Sequence, residues 1–444
     1  MKRQVGRATL VVDLGYGDCG KGTVTDHYVR ATGADLVVRF NGGAQAGHAV
    51  VTADGRAHTF SQFGAGSFLP GVRTYLSRFM VVHPGGLLRE AEVLEGKGVE
   101  RPLERLVIDH RARLITPFHQ AANRLREVLR GEARHGSCGL GIGETMQDDL
   151  EHPGEVVRAQ DLSHPETLRA KLVRWQQRKW EAFAGHRCTL RTTPEGRAEL
   201  EVLESADIIE RWIAEASLLA ARVSNAPELS HITGSVVFEG AQGVLLDEWR
   251  GFHPHTTWST CTFDNALEML QGWDGEVRKI GVLRSYATRH GAGPFPTETE
   301  ELNFPEPHNR VGPWQGAFRQ GWFDAVTARY AVAACRGIDG LALTHLDRVP
   351  SSGLWKLATG YEGIASPYYT EGALELGPFA DLDYQACLTE ALCQAKPIYA
   401  EAPLERLRFQ LEETLEAPIV LESWGATAQD KREIGHAARD SSAA

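Results

Sequence analysis

The sequence predicts an α/β fold built on a large, mostly parallel central sheet flanked by helices. Apolar runs of strand length recur along the chain, amphipathic helical stretches lie between them, and each run opens directly onto a glycine-rich or polar loop. Strands that open repeatedly onto such loops describe one crevice at the carboxyl edge of a parallel sheet, where α/β folds hold ligands.

Ala8-Thr9-Leu10-Val11-Val12 reads as a buried first strand. It runs into Gly15-Tyr16-Gly17-Asp18-Cys19-Gly20-Lys21-Gly22, which offers backbone N–H groups and one ammonium to a phosphate. Gly15 to Gly20-Lys21 meets the G-x4-G-K part of the P-loop pattern, but Gly22 stands where that pattern has a Ser or Thr hydroxyl for magnesium. Asp18 places a carboxylate inside the loop. Thr23 to Thr32 predicts a short helix, and Asp35 to Phe40 a second buried strand ending in Asn41-Gly42-Gly43-Ala44-Gln45-Ala46-Gly47-His48. Two strands so close in sequence, both ending in glycine turns, predict parallel neighbours in the sheet. Leu114 to Arg134 has helical periodicity and leads to the loop Gly136 to Gly143. Pro165 to Phe183 and Ala206 to Ala221 predict amphipathic helices, and the polar stretch His186 to Leu203 between them reads as an excursion or a hairpin. Ser235 to Phe238 predicts a strand opening onto Glu239-Gly240-Ala241-Gln242-Gly243, followed by a His/Thr/Trp-rich stretch from Gly251 to Thr262. Lys279 to Leu283, Gly340 to Asp347 and Pro418 to Leu421 complete the strand signals, the last running into Glu422-Ser423-Trp424-Gly425.

The 444 residues would by length form roughly two or three domains, yet no compositional break divides them. One large domain is expected over 1–436, with a helical insertion at 100–225 and a frayed tail at 437–444. A net charge of −11 argues against a general nucleic-acid or membrane-surface binder, and leaves room for a local basic pocket. The start Met1-Lys2-Arg3 runs into only a short strand and no run reaches membrane-span length. Seven cysteines without a C-x-x-C pair fit a reduced, cytoplasmic setting. His253, His255 and His290 invite a metal reading, but no Cys or acid stands at ligand spacing beside them.

Taken in order, the loops resemble the adenylosuccinate synthetase family over about Val11 to Gly425. The family's G-D-E-G-K-G is matched by Gly17 to Gly22, its G-G-H-N-A-G-H-T by Gly42 to Ala49, its F-E-G-A-Q-G-T-L-L-D by Phe238 to Asp247, and its Y-S-T-R-V-G-A-G-P-F-P-T-E by Tyr286 to Glu298. The resemblance implies a P-loop-like nucleotide ligase with helical and loop insertions that works as a homodimer with Mg2+. GTP gives its γ-phosphoryl to the 6-oxygen of a purine nucleotide, and the amine of aspartate then displaces the phosphate. It further implies that Asp18 is general base and magnesium ligand, that the Gly47 carbonyl also binds the metal, that His48 is the general acid, and that Lys21 neutralises the transferring phosphoryl. A base is needed because a lactam oxygen is a poor nucleophile until its ring N–H is removed. For the phosphoryl donor, GTP or ATP, the resemblance implies contacts from Gly17, Cys19, Gly20, Gly22, Thr23, Gly47, His345, Asp347, Ser423 and Gly425. For the substrates it implies contacts from Gln45, Cys138, Gln242, Thr257 and Arg319.

The sequence departs from the family at both substrate ends. The base-reading T-K-L-D is Thr344-His345-Leu346-Asp347, which keeps a carboxylate for guanine but loses the lysine stem. The amine-donor loop T-T-G-R-R-R-R-T-G-W is Pro313-Trp314-Gln315-Gly316-Ala317-Phe318-Arg319-Gln320-Gly321-Trp322. Of its arginines only Arg319 survives, and a dicarboxylate is best held by several guanidinium forks. The purine-phosphate loop reads Ser137-Cys138-Gly139-Leu140-Gly141-Ile142-Gly143-Glu144, and Gln45 replaces an asparagine. These changes point to an active ligase with an altered acceptor or amine donor. The alternatives are adenylosuccinate synthetase itself with a divergent aspartate loop, or a non-catalytic GTP-binding switch.

Overall fold

The computed structural model describes residues 6–131, 137–226, 229, 234–306, 316–350 and 352–435. One ten-stranded sheet runs through them. Its strands are β1 (Arg7–Asp13), β2 (Leu36–Arg39), β3 (Arg73–Leu76), β4 (Leu106–Asp109), β5 (Ser224–Ala226), β6 (Ser235–Glu239), β7 (Glu276–Arg284), β8 (Gly340–Thr344), β9 (Ile419–Ser423) and β10 (Lys431–Glu433). They lie in the order β10-β9-β8-β7-β1-β6-β2-β3-β4-β5. Every pairing is parallel except β9 with β10.

The strands read from the sequence form the contiguous centre, β9 to β2. Their apolar residues are buried on both faces, as parallel strands require. Leu10, Val12, Val38, Phe238 and Leu343 pack on one side with the helices Ala325–Ala334 and Leu404–Leu415. Val11, Val37, Val237, Ile280 and Val282 pack on the other against Val24, Tyr28 and Val29 of helix α1 (Lys21–Thr32). Helix α1 starts after Gly20 at φ 91° and ends at Gly33 at φ 64°, a left-handed conformation that favours glycine. The two edge strands carry little signal: Ser224-Asn225-Ala226 and Lys431-Arg432-Glu433 have no apolar pattern at all.

One expectation fails here. β1 and β2 are not neighbours, because β6 lies between them and pairs with both, Val11 opposite Glu239 and Glu239 opposite Arg39. A crossover through a helix as long as α1 can pass over one strand position as readily as land beside it, so closeness in sequence does not set adjacency in a parallel sheet.

The segment 100–225 is also built differently from its reading. The helix expected from Leu114 begins at Pro117 and runs to Arg130, with Leu114 in a two-residue strand and Thr116 as the cap; residues 132–134 lie outside the described residues. His186 to Leu203 is neither excursion nor hairpin but contains two helices, Arg187–Leu190 and Pro194–Glu204. The Thr193 hydroxyl caps the second by accepting the Gly196 N–H at 3.0 Å. Leu190, Leu200 and Leu203 bury a narrow apolar stripe against Trp175 and Phe183, and the surrounding charge hides that stripe in the sequence. The segment 100–225 also gives β4 and β5 to the sheet. The tail 437–444 lies outside the described residues. Among those described, no helix is long and apolar enough to cross a membrane.

Candidate active site

Six adjacent parallel strands each end on a buried polar residue. Across the sheet these are Ser423 (β9), Thr344 (β8), Arg284 (β7), Asp13 (β1), Glu239 (β6) and Arg39 (β2). Burying such groups is costly unless each is paired, and the pairs they make hold the crevice loops. Arg284 donates from Nε to the Asp18 carbonyl at 2.6 Å and from Nη1 to Tyr286 at 2.8 Å. Thr344 donates to the Cys19 carbonyl at 2.7 Å, and Ser423 to the Gly425 carbonyl at 3.2 Å.

Asp13, which sequence reasoning passed over, organises the first loop. Its Oδ1 accepts the N–H groups of Gly15 at 2.8 Å and Gly17 at 3.2 Å; its Oδ2 accepts the Cys19 N–H at 2.8 Å and the Lys21 ammonium at 3.1 Å. The amides of Gly17 and Cys19 therefore donate within the protein, to Asp13. What remains for an anion is the start of α1, where the first-turn N–H groups of Lys21, Gly22 and Thr23 have no intrahelical acceptor. A side chain at Gly22 would sit 2.9 Å from the His48 and Ala49 backbone. Close packing of the two loops thus accounts for the missing P-loop hydroxyl.

The second and third loops meet over Glu239. His48 places Nδ1 2.6 Å from Glu239 Oε1, and Oε2 accepts the Ala65 N–H at 3.0 Å with the Arg39 Nε 3.9 Å away. Burial would raise Glu239, but the His48 ring and the Arg39 guanidinium hold it below the usual carboxylate range. Burial, aided by Arg39, pushes His48 down to about 4 against the pull of Glu239, so its ring is neutral near pH 7. With an ionised Glu239 as partner, the proton sits on Nδ1, and Nε2 is the other ring nitrogen. Asn41 clips the loops together, donating to the Ala241 carbonyl at 3.1 Å and accepting the Ala241 N–H at 2.7 Å. Gly243 packs so closely on the first loop that a side chain there would lie 2.1 Å from the Gly15 carbonyl. Gln242, at φ 54°, has both ends of its amide buried without a partner, and Gln45 Oε1 is likewise unpaired. Side chains at Gly42 and Gly43 would reach Gln242 Oε1 at 2.7 Å and Gln45 Oε1 at 3.0 Å, respectively, so both amides meet at this glycine pair.

Asp18 sits in the left-handed region at φ 56°, its carbonyl held by Arg284 and its carboxylate part-exposed. His290, which replaces the valine of the family motif, places Nε2 3.5 Å from the Asp18 Oδ2. Asp18 and the exposed Gly47 offer one carboxylate and one carbonyl oxygen. That donor set fits magnesium, which keeps several waters and is usually held through one or two carboxylates and substrate phosphates.

The base end is assembled by β8, β9 and β10. His345, at φ 57°, lies over the first loop: a side chain at Gly20 would meet its Cε1 at 3.6 Å. Burial, with Arg284 and Arg348 near, pushes His345 well below the usual histidine range, so it is a neutral packing surface. Asp347 lies 3.4 Å from the Arg348 Nε. Thr23 donates to the Ala426 carbonyl at 3.0 Å, tying α1 to the loop after Ser423, and Gly425 has no room for a side chain beside Asp430. Lys431, unseen in the sequence, donates to the Gly425 carbonyl at 2.8 Å. Burial lowers it to about 8 despite Asp430, Asp26 and Asp347.

The remaining predicted contacts are held less tightly. Cys138 is half-buried in the loop after the helix Pro117–Arg130, and burial pushes its thiol up, away from reactivity. In the same loop, a side chain at Gly143 would lie 2.9 Å from Trp258. Thr257 is part-buried and donates its N–H to the Leu246 carbonyl at 2.8 Å. Arg319 lies on the strand Phe318–Gly321, which pairs antiparallel with Ala287–His290. It is bound to Glu298 at 2.8 Å and the Gly293 carbonyl at 3.0 Å. Pro313, Trp314 and Gln315 lie outside the described residues.

A family model described as adenylosuccinate synthetase matches residues 10–403. The chain is 33% identical over 429 residues to an adenylosuccinate synthetase of Synechocystis sp., covering 94% of this chain and 93% of that one. It is 35% identical over 362 residues to that of Alkalilimnicola ehrlichii, covering 80% of each. In fold it is similar to fully ligated adenylosuccinate synthetase from Plasmodium falciparum, with a TM-score of 0.74, 21% identity, and coverage of 96% of this chain and 99% of that chain. It is also similar to a cyanophage S-2L succinoaminodeoxyadenylate synthetase bound to dGMP and dATP as an energy donor. There the TM-score is 0.59 with 18% identity, and coverage is 98% and 97%.

Proposed function

We propose, from the premise that this chain belongs to the adenylosuccinate synthetase family of C–N ligases, an assignment of substrates and residue roles. The acceptor is a purine nucleotide with a 6-oxygen, the phosphoryl donor is GTP in preference to ATP, and the amine donor is less anionic than aspartate. The observation that carries the acceptor is the buried, partnerless amide of Gln242 beside the Asp18 loop. An amide left unpaired in the interior is costly, and a lactam edge offers both the donor and the acceptor that it lacks.

Asp18 takes the ring N–H proton of the acceptor, so that the 6-oxygen can attack the γ-phosphorus and release the diphosphate. Lys21 compensates charge on the transferring group. His48, held at Nδ1 by Glu239, is the general acid for the phosphate that leaves when the amine adds, a role that requires a proton on Nε2 as well. Magnesium held through Asp18 and the Gly47 carbonyl would supply further charge neutralisation. The family's homodimer is part of the same reading.

The donor assignment rests on how the nearby arginines are spent. Among the described residues Arg284 holds Glu306 and the Asp18 carbonyl, Arg289 the Ala292 and Pro294 carbonyls, and Arg319 Glu298. A second carboxylate on the donor would have to displace one of these internal partners. The cyanophage protein, which binds dGMP, is a precedent for this fold with another nucleotide. The second reading, adenylosuccinate synthetase itself acting on inosine monophosphate and aspartate, is favoured by the names of the relatives. A GTP-binding switch has no support in a ligase family.

Phosphate release measured over a matrix of purine nucleotides and amines, with GTP or ATP and magnesium, decides between them. Release that depends on an amine other than aspartate is expected; release requiring both inosine monophosphate and aspartate would establish the second reading instead. For base choice, Asp347→Asn should lower the ratio of GTP to ATP efficiency by roughly tenfold, the cost of losing a carboxylate that accepts two guanine N–H groups. An unchanged ratio would remove Asp347 from base recognition.

A further inference from the structure

Asp13 does more than fold a turn. It is 1% exposed and its carboxylate takes three loop amides and the Lys21 ammonium, itself 4% exposed. The lysine assigned to the phosphoryl group is thus already neutralised by an anion in its own loop. We propose that Asp13 is a positioning residue that restrains Lys21, so that the ammonium is shared with the triphosphate only as the nucleotide settles on the start of α1. The proposal rests on the assignment of Lys21 to the phosphoryl group, but not on the identity of acceptor or amine.

The geometry carries two consequences of opposite sign. The carboxylate fixes the loop through Gly15, Gly17 and Cys19, and so sets the left-handed turn at Asp18. The same negative charge lies beside the place where more negative charge must arrive, and it holds the nearest ammonium. A residue that only shaped the loop would, on losing its charge, weaken nucleotide binding. A residue that restrains Lys21 would, on losing its charge, release the ammonium and strengthen binding of a triphosphate, while turnover falls because the loop is less well fixed. The sign of the change in affinity separates the two.

The test is calorimetric binding of GTP and GDP in the presence of EDTA, without acceptor or amine. Asp13→Asn should bind GTP about fivefold tighter than the wild type, with a smaller change for GDP, and the gain should vanish in a Lys21→Gln background. Asp13→Ser, which also removes the charge, should behave in the same way. Weaker or unchanged GTP binding by these variants, or the same gain with and without Lys21, would overturn the proposal. A third arm uses the unaltered protein, in case the variants do not fold. Because Asp13 keeps a share of the ammonium after the triphosphate has settled, Lys21 contributes only part of its attraction to the γ-phosphate, so GTP and GDP should bind within about threefold of each other. A preference for GTP above about tenfold would overturn it too. Failure of the substrate matrix would leave these binding results intact, so the two readings fail separately.

Discussion

Asp18→Asn is expected to abolish turnover while leaving GTP binding close to its original value. The substitution keeps the size of the side chain and its tolerance for the left-handed backbone at φ 56°, and removes the negative charge that serves both as base and toward magnesium. Loss of a positioned general base costs roughly 10²–10⁴-fold in rate. Asp18→Ala should lose at least as much, with a further backbone penalty, since alanine tolerates that conformation less well. The Asp18 carbonyl stays with Arg284 in either variant, so the loop around α1 should remain in place. Initial rates at saturating substrates, paired with GTP binding in the presence of EDTA, provide the check. Retained turnover in Asp18→Asn would exclude it as the base. Lost nucleotide binding at intact fold would reduce it to a binding residue.

The second large effect is on stability. Glu239→Ala removes the partner of a fully buried guanidinium, the Nδ1 acceptor of His48 and the acceptor of the Ala65 N–H together. Arg39 is 0% exposed and keeps one hydrogen bond to the Phe63 carbonyl, at 3.0 Å. Breaking a buried pair on one side leaves an uncompensated charge and costs about 3–5 kcal/mol. A marked fall in the denaturant midpoint is expected, with Glu239→Gln less damaging because it can still accept from His48. Turnover in Glu239→Gln should also fall, because a neutral amide no longer favours the proton on Nδ1. A midpoint within experimental error of the wild type would show that Arg39 finds water or another partner, and that Glu239 is not a structural keystone.

Much of the fold and of the site is legible in the sequence. The central strands carry long apolar runs because both of their faces are covered, and that burial imprints itself on the sequence without regard to topology. The edge strands do not, since Ser224 to Ala226 and Lys431 to Glu433 pair along one side or face solvent and can be polar. The glycine loops were legible because close backbone approach excludes a Cβ, as at Gly22 and Gly243. Asp13, Lys431, Glu239 as the partner of His48 and His290 as the neighbour of Asp18 were not. Each is one polar residue at the end of a strand or in a loop with no spacing that marks it; Glu239 and His290 meet partners far away in the chain, while Asp13 and Lys431 hold loops only a few residues away that the tertiary fold turns back onto them.

By itself the sequence determined the fold class, the central strands and the loops that meet at their carboxyl edge, because periodicity and glycine placement are local consequences of burial and turn geometry. Only the tertiary structure decided that β6 divides β1 from β2 and that Glu239 thereby stands between Arg39 and His48. It alone turned the amides of Gly17 and Cys19 inward onto Asp13. Parallel strands can be ordered in many ways with the same local pattern, and a buried charge acquires its role only from whichever partner the chosen order brings within hydrogen-bonding distance.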